Sequence, residues 1–127
     1  MRRPADFDPL THRVIGCAIE VHRQLGPGLL ESVYRTCMAH ELAAADCMCQ
    51  LEVPVHVVYK GTRLDCGFRM DLLVESELVV ELKSVEALSP LHGSQLLTYL
   101  KLSGLHKGLL INFNCKVLRD GIRRFLR

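Results

Sequence analysis

The chain has 127 residues, of which 49% are hydrophobic and 24% charged. This is the balance of one ordinary globular domain, and it excludes a disordered, collagen-like or coiled-coil protein. No apolar run approaches the ~20 residues that span a bilayer, so we expect no membrane association. The formal net charge is only +2, too small to create a large positive field. We expect a single domain over residues 1–127.

The first residues lack the apolar stretch and cleavage site of a secretory signal, which favours a cytoplasmic protein with reduced thiols. The sequence contains six cysteines, of which only Cys47 and Cys49 are close, as C-x-C. Cys17 and Cys37 fall on apolar helix faces, where a free cysteine acts as a small hydrophobic residue. We therefore expect structural cysteines, with a metal or redox role as the alternative.

The first half of the predicted structure begins with two helices. Asp8-Pro9 is a helix start, with Asp as N-cap and Pro at the first helical position. Apolar residues then recur at helical spacing up to Gly26-Pro27-Gly28, which ends the helix. A second helix carries an apolar stripe from Leu30 and fades near Ala45-Asp46.

Three strands follow, over about 50–59, 63–74 and 78–85. Lys60-Gly61-Thr62 is predicted as the turn between the first two. Pro54 favours an edge strand or a bulge. Ser89-Pro90 starts a third helix that Gly104 closes, and 107–113 is an apolar strand.

The last segment, 117–127, is predicted as a short basic helix. The predicted order is α-α-β-β-β-α-β-α, an α/β (α+β) domain with helices flanking a mixed central sheet.

The central feature is a pair of carboxylates on two adjoining strands. If Val74 faces Leu78 in a hairpin, Asp71 faces Glu81 at about 4.5–5.5 Å between Cβ atoms. Two like charges that close destabilise a sheet, and a divalent cation between them would offset this. Lys83 projects from the same strand face as Glu81. Oxygen ligands of this kind suit Mg²⁺ or Mn²⁺.

An E-x-K pair in a strand is also typical of a solvent-exposed sheet face with a simple ion pair. Here both strands are apolar around the charges, which indicates a buried central pair. Buried charges are rarely found without partners.

These residues resemble a known family. Asp71 followed by Glu81-Leu82-Lys83 resembles the core of the PD-(D/E)xK nuclease superfamily, although Met70 replaces the proline of that name. The segment Gln95-Leu96-Leu97-Thr98-Tyr99 looks like the Q-x-x-x-Y element of the branch with RecB-type and lambda-type exonucleases. Gly28 to Tyr34 fits G-x-x-E-x-x-Y, the motif of the GxxExxY proteins. The resemblance extends from about Val14 to Arg124 and implies a restriction-endonuclease-like core.

The resemblance implies roles for individual residues. Asp71, Glu81 and the Leu82 carbonyl would bind the metal ion, and Lys83 would orient or activate the attacking water or stabilise the phosphate. Glu31 would be an additional metal carboxylate. Its other interpretation is a first-turn Glu favoured by the helix dipole.

Gln95 and Tyr99 share a helix face, and by resemblance they would contact substrate phosphate or steady the strand that bears Lys83. A merely polar helix face is the alternative. Tyr34 could hydrogen-bond a neighbour or simply pack.

Basic residues near the end of the chain could follow a phosphate backbone, or could form a solvated helix face. They are Lys116, Arg119, Arg123, Arg124 and Arg127. Of these, Arg123 and Arg124 are the nucleic-acid-binding candidates.

The sequence therefore predicts a Mg²⁺-dependent (or Mn²⁺-dependent) nuclease that hydrolyses phosphodiester bonds, with DNA as the expected substrate. A core this small has little surface for base readout, so we expect low sequence specificity, oligomerisation or a protein partner. The alternative is a non-catalytic module that keeps the fold and binds nucleic acid or a protein. Hydrolysis of a smaller phosphoester also fits the motifs.

Overall fold

A computed structural model of the chain describes residues 8–127. The elements follow in the order α1 (Pro9–Leu25), α2 (Glu31–Ala44), β1 (Cys49–Tyr59), β2 (Thr62–Val74), β3 (Leu78–Lys83), α3 (Pro90–Ser103), β4 (Lys107–Asn112), a 3₁₀ turn (Leu118–Gly121) and β5 (Ile122–Leu126). The mixed α/β architecture and the predicted positions of the first seven elements are confirmed. The expectation about the first residues lies outside the described part of the chain.

The five strands form one sheet in the order β1-β2-β3-β4-β5. Only β3 and β4 run parallel, and a parallel pair needs a long crossover connection, which α3 supplies. The other neighbours are antiparallel. This order places β3 in the centre of the sheet, where a strand is covered on both faces.

The sheet separates two hydrophobic clusters, so the molecule has three layers. Side chains of α1 and α2 pack with Leu72, Val80 and Ile111 on one face. Side chains of α3 pack with Leu73, Val79 and Leu110 on the other. Successive residues of a strand point to opposite faces, so β3 packs Val80 into the first cluster and Val79 into the second.

The β1–β2 hairpin is built around the predicted turn. Tyr59 pairs with Thr62, so the loop holds only Lys60 and Gly61, with φ values of 49° and 79°. Positive φ at both central residues is the conformation that matches the twist of two-residue hairpins. The pairing is irregular between Pro54 and His56, and β1 lies at the sheet edge, as Pro54 indicated.

The prediction of a C-terminal helix over 117–127 is wrong. After the 3₁₀ turn the chain forms β5, which pairs antiparallel with β4 from Ile111↔Ile122 to Lys107↔Leu126. The edge of β4 offers a complete row of backbone partners, and a strand there also buries Phe125 against Gly93 of α3. This tertiary pairing outweighs the weak local preference of a short basic segment for a helix.

All six cysteines lie in the described part of the chain and are free thiols. Within residues 8–127, no helix has the length and apolar character to cross a membrane.

Candidate active site

The hairpin between β2 and β3 brings Asp71 and Glu81 together. Its register runs from Val74↔Leu78 to Leu72↔Val80, as the sequence predicted. Beyond the Leu72↔Val80 pair, the two strands are joined by hydrogen bonds from backbone N–H groups to side-chain carboxylates. The backbone N–H of Asp71 donates to Glu81 Oε1 at 3.0 Å, and the backbone N–H of Leu82 donates to Asp71 Oδ2 at 2.8 Å. Each carboxylate thus holds the backbone of the opposite strand, and we call Asp71 and Glu81 the carboxylate pair.

The sheet is irregular at this point. Met70 and Leu73 both pack into the cluster on the α3 side, although three residues apart on a regular strand they would point to opposite faces. On the other flank, β1 pairs as Leu51↔Leu72 and Val53↔Met70. The register is the same on both sides of Asp71, but Glu52 and Asp71, which stand opposite each other in it, are not paired.

Burial makes the pair electrostatically unusual. Glu81 is only 4% exposed. Burial, and then the negative charge of Asp71, raise the pKa of Glu81 to about 8, while Lys83 acts in the opposite direction. Two carboxylates that share a site resist double ionisation. A positive charge beside them would remove that resistance. Metal-binding carboxylates are expected to behave in this way, because the bound ion supplies the positive charge.

Lys83 lies on the same face of β3 as Glu81, as the sequence predicted. The Leu82 side chain packs on the α1–α2 side, so by strand alternation Glu81 and Lys83 point toward α3. The positive charge of Lys83 favours ionised Glu81. Within residues 8–127, Lys83 forms no ion pair with an N–O distance of 4 Å or less.

Tyr99 reaches the same site from α3. It is 4% exposed, and burial together with the negative charges of Glu81 and Asp71 raises its pKa. Its ring lies 5.8 Å from the ring of Phe68, centroid to centroid. Gln95, one turn earlier, is half-buried and makes no side-chain hydrogen bond among the described residues.

Glu31 lies near β3 and apart from the carboxylate pair. It is the first residue of α2. Its Oε2 accepts a long hydrogen bond of 3.4 Å from the backbone N–H of Ser84, next to Lys83. Within residues 8–127, no three His, Cys, Asp or Glu side chains are already arranged around a common ion position. The structure therefore groups two of the three predicted carboxylates.

Tyr34 both packs and hydrogen-bonds. Its ring stacks on Phe113 at 4.3 Å between centroids. Its hydroxyl donates to the Gly26 carbonyl at 2.6 Å and accepts from the Leu29 N–H at 3.2 Å. Tyr34 thus fixes the loop between α1 and α2 that leads to Glu31, which is a structural role.

Two residues beside the pair were missed by sequence reasoning. The Arg35 guanidinium donates to Asp71 Oδ1 at 3.1 Å, and its other end lies 3.5 Å from Glu52 Oε1. Arg35 follows Glu31 by four residues, a spacing that places both on one helix face and could have revealed it. Glu52 is recognisable only from the pairing of β1 with β2.

The two C-terminal arginine candidates, Arg123 and Arg124, are successive residues of β5 and lie on opposite faces of the sheet. Arg123 pairs with Leu110 and Arg124 with Leu109, and these leucines belong to opposite clusters. Arg123 therefore lies on the face of the carboxylate pair, in line with Leu110 and Glu81. Arg124 lies on the opposite face, beside Asp8 and Thr11.

This geometry agrees with comparison to known families. The model of the PD-(D/E)XK nuclease superfamily matches residues 8–125. The chain belongs to this superfamily. The match includes all the elements that carry the site, and it agrees with the mixed sheet and flanking helices of a restriction-endonuclease-like fold. No curated protein matches the chain, and no solved structure does either.

Membership places the chain among nuclease-type hydrolases, a superfamily that typically uses divalent metal ions. The carboxylate pair and Lys83 are the residues whose spacing resembles the superfamily motif. The buried pair on the central strand is therefore its candidate active site.

Proposed function

We propose that this protein is a Mg²⁺-dependent nuclease that hydrolyses phosphodiester bonds of DNA with low sequence specificity. The observation that carries the proposal is the interlocked carboxylate pair, with Lys83 on the same face of the central strand. Within the superfamily, the motifs of α2 and α3 favour the GxxExxY proteins and the RecB-like branch.

The carboxylate pair suits a hard divalent cation. Its donors are oxygen atoms, which Mg²⁺ and Mn²⁺ prefer, and a bound cation would favour the ionised form of Glu81, whose pKa is raised by burial and by the charge of Asp71. Asp71 and Glu81 would hold the ion together with the Leu82 carbonyl, and Glu31 would add a ligand from α2. A bound ion would lower the pKa of water and offset negative charge on the phosphate.

The chain's own residues supply the remaining parts. The Lys83 ammonium, a compact positive charge, would position the attacking water or the phosphate. Gln95 and Tyr99 would hold the substrate from α3, since Tyr99 is already close enough to feel the charges of Asp71 and Glu81. Arg123 would contact the phosphate backbone of the nucleic acid, further along the same face of the sheet.

The decisive experiment is cleavage of single-stranded and double-stranded DNA by the purified protein with Mg²⁺, Mn²⁺ or EDTA. We expect metal-dependent cleavage that Lys83→Ala reduces by at least about 100-fold, the range for removal of a group that stabilises transition-state charge. Lys101→Ala is the matched control, because Lys101 is an exposed lysine on α3; its activity should equal that of the wild type.

Equal activity of the wild type and Lys83→Ala, across metals and substrates, would contradict the proposal. If cleavage were absent but DNA binding persisted, the protein would instead be the non-catalytic module that keeps this fold. RNA substrates and a small phosphodiester, tested in parallel, define the substrate class.

A further inference from the structure

The Arg35 side chain forms a bridge between two carboxylates. One end donates to Asp71 Oδ1 at 3.1 Å, and the other lies 3.5 Å from Glu52 Oε1. The Arg35 and Asp71 side chains are 22% and 16% exposed. The Asp71 contact is therefore largely removed from water, where a charge-assisted hydrogen bond is stronger than at the surface.

Both oxygens of Asp71 are engaged by donors in this structure. Oδ2 accepts from the Leu82 N–H, and Oδ1 accepts from Arg35. A divalent cation that uses Asp71 must therefore approach a carboxylate already paired with a positive charge. Two cations on one carboxylate repel each other, so their occupancies are coupled.

Glu52 gives the guanidinium a second partner at the exposed side of the site. Its side chain is 61% exposed, and its backbone has φ of 49°. This left-handed conformation is unusual for a non-glycine residue, and it persists only where the surrounding structure imposes it. The residue lies between Leu51 and Val53, whose partners Leu72 and Met70 flank Asp71. The irregular strand thus places Glu52 beside the same arginine.

We propose that Arg35 is a positioning residue that neutralises Asp71 while the metal ion is absent and competes with the ion for this carboxylate. Ion binding shifts the guanidinium away from Asp71 and toward Glu52. The inference rests on the proposed function, because it takes Asp71 as a metal ligand.

Calorimetric titration of the full chain with Mn²⁺ tests this directly. Arg35→Met should bind Mn²⁺ about tenfold more tightly than the wild type, because a neighbouring positive charge is lost. Arg35→Lys keeps the charge and should remain near the wild-type affinity. Arg23→Met is the control, since Arg23 forms an exposed pair with Glu20 on α1. A purely structural arginine would give the opposite result, with weaker Mn²⁺ binding in Arg35→Met.

A second measurement needs no change at Arg35. In the wild type, the side-chain Nε–H signal of Arg35 in an NMR titration with Mg²⁺ should shift in proportion to site occupancy, while that of Arg23 stays unchanged. An Arg35 signal unaffected at saturating Mg²⁺ would overturn the inference.

The outcomes separate the two proposals. If the wild type binds Mn²⁺ and Arg35→Met binds equally or less tightly, the inference fails and the proposed function stands. If neither protein binds Mn²⁺, the proposed metal site fails, and the competition fails with it. If only Arg35→Met binds, Arg35 blocks the site in the wild type, which supports the inference.

Discussion

Glu81 is an ionisable residue among the buried apolar residues of β3. Its neighbours explain why the position is tolerated. The carboxylate accepts the Asp71 N–H, and the Lys83 charge offsets part of its burial. The remaining imbalance appears as a pKa of about 8, and such perturbed groups cluster at functional sites.

This pKa predicts how stability depends on pH. The unfolded chain releases the Glu81 proton near its ordinary value of 4.5, whereas the folded chain keeps it to about 8. Between these values the native state binds more protons than the unfolded state. The free energy of unfolding must therefore fall as pH rises through this window. Urea denaturation without metal ions from pH 5 to 8 measures it.

Glu81→Gln is the variant that isolates this effect. It keeps the shape of the side chain and cannot ionise, so its unfolding free energy should vary less with pH over the same range. Identical pH profiles for the wild type and Glu81→Gln would show that another group controls the dependence.

Sequence reasoning at this scale identified the carboxylate pair because a hairpin register is simple arithmetic on two strands. It missed Arg35, whose importance depends on how α2 packs across the sheet toward Asp71. It also missed Glu52, because its place depends on the register and irregularity of β1. The predicted role of Glu31 as a third metal carboxylate stays a prediction.

At the scale of elements, the connection from β4 to β5 depends on Gly121. A Cβ atom there would lie 2.3 Å from the Asn112 carbonyl oxygen and 3.1 Å from Cys115 Sγ. The oxygen belongs to the backbone at the end of β4, so it cannot move without disturbing the strand. This close approach helps to explain why the chain turns back here and does not continue as the predicted helix.

Gly121→Ala should therefore destabilise the protein by about 1–3 kcal/mol, the usual cost of overpacking. Gly16→Ala is the matched control, because Gly16 lies within α1 with no neighbour near its Cβ position. There the same substitution should stabilise the helix by up to about 1 kcal/mol. Urea denaturation of both variants measures the difference. A Gly121→Ala protein as stable as the wild type would contradict the packing argument.

At the scale of the whole molecule, the sheet divides the surface into two faces with different expected functions. The carboxylate pair, Lys83 and Tyr99 meet on or beside the α3 face, and Arg123 stands on that face. Across the sheet, Glu81 and Arg123 are separated by one strand, so roughly 10 Å lies between their backbones. We therefore expect a nucleic-acid backbone bound at the candidate site to approach Arg123 and not Arg124.

The pair of adjacent arginines gives an internal control for DNA binding. Arg123→Gln should weaken binding and reduce the slope of log K against log salt by about 1, as expected for one lost phosphate contact. Arg124→Gln should leave the slope unchanged, because its side chain is on the other face. Fluorescence anisotropy with labelled DNA over a range of salt concentrations, in Ca²⁺ to prevent cleavage, compares them. Equal losses in both variants would contradict this assignment of faces.

The sequence by itself determined the elements whose signals are local and strong: the helix starts at Pro9 and Pro90, the turn at Gly61, and the register that joins Asp71 to Glu81. These follow from backbone preferences and short-range periodicity, which neighbouring residues decide. The tertiary structure alone decided that 122–126 is a strand and that Arg123 and Arg124 face apart. It also decided that Arg35 and Glu52 lie beside Asp71. Each of these depends on pairing or packing between segments far apart in the chain, and such contacts outweigh local propensity when they bury surface and satisfy backbone hydrogen bonds.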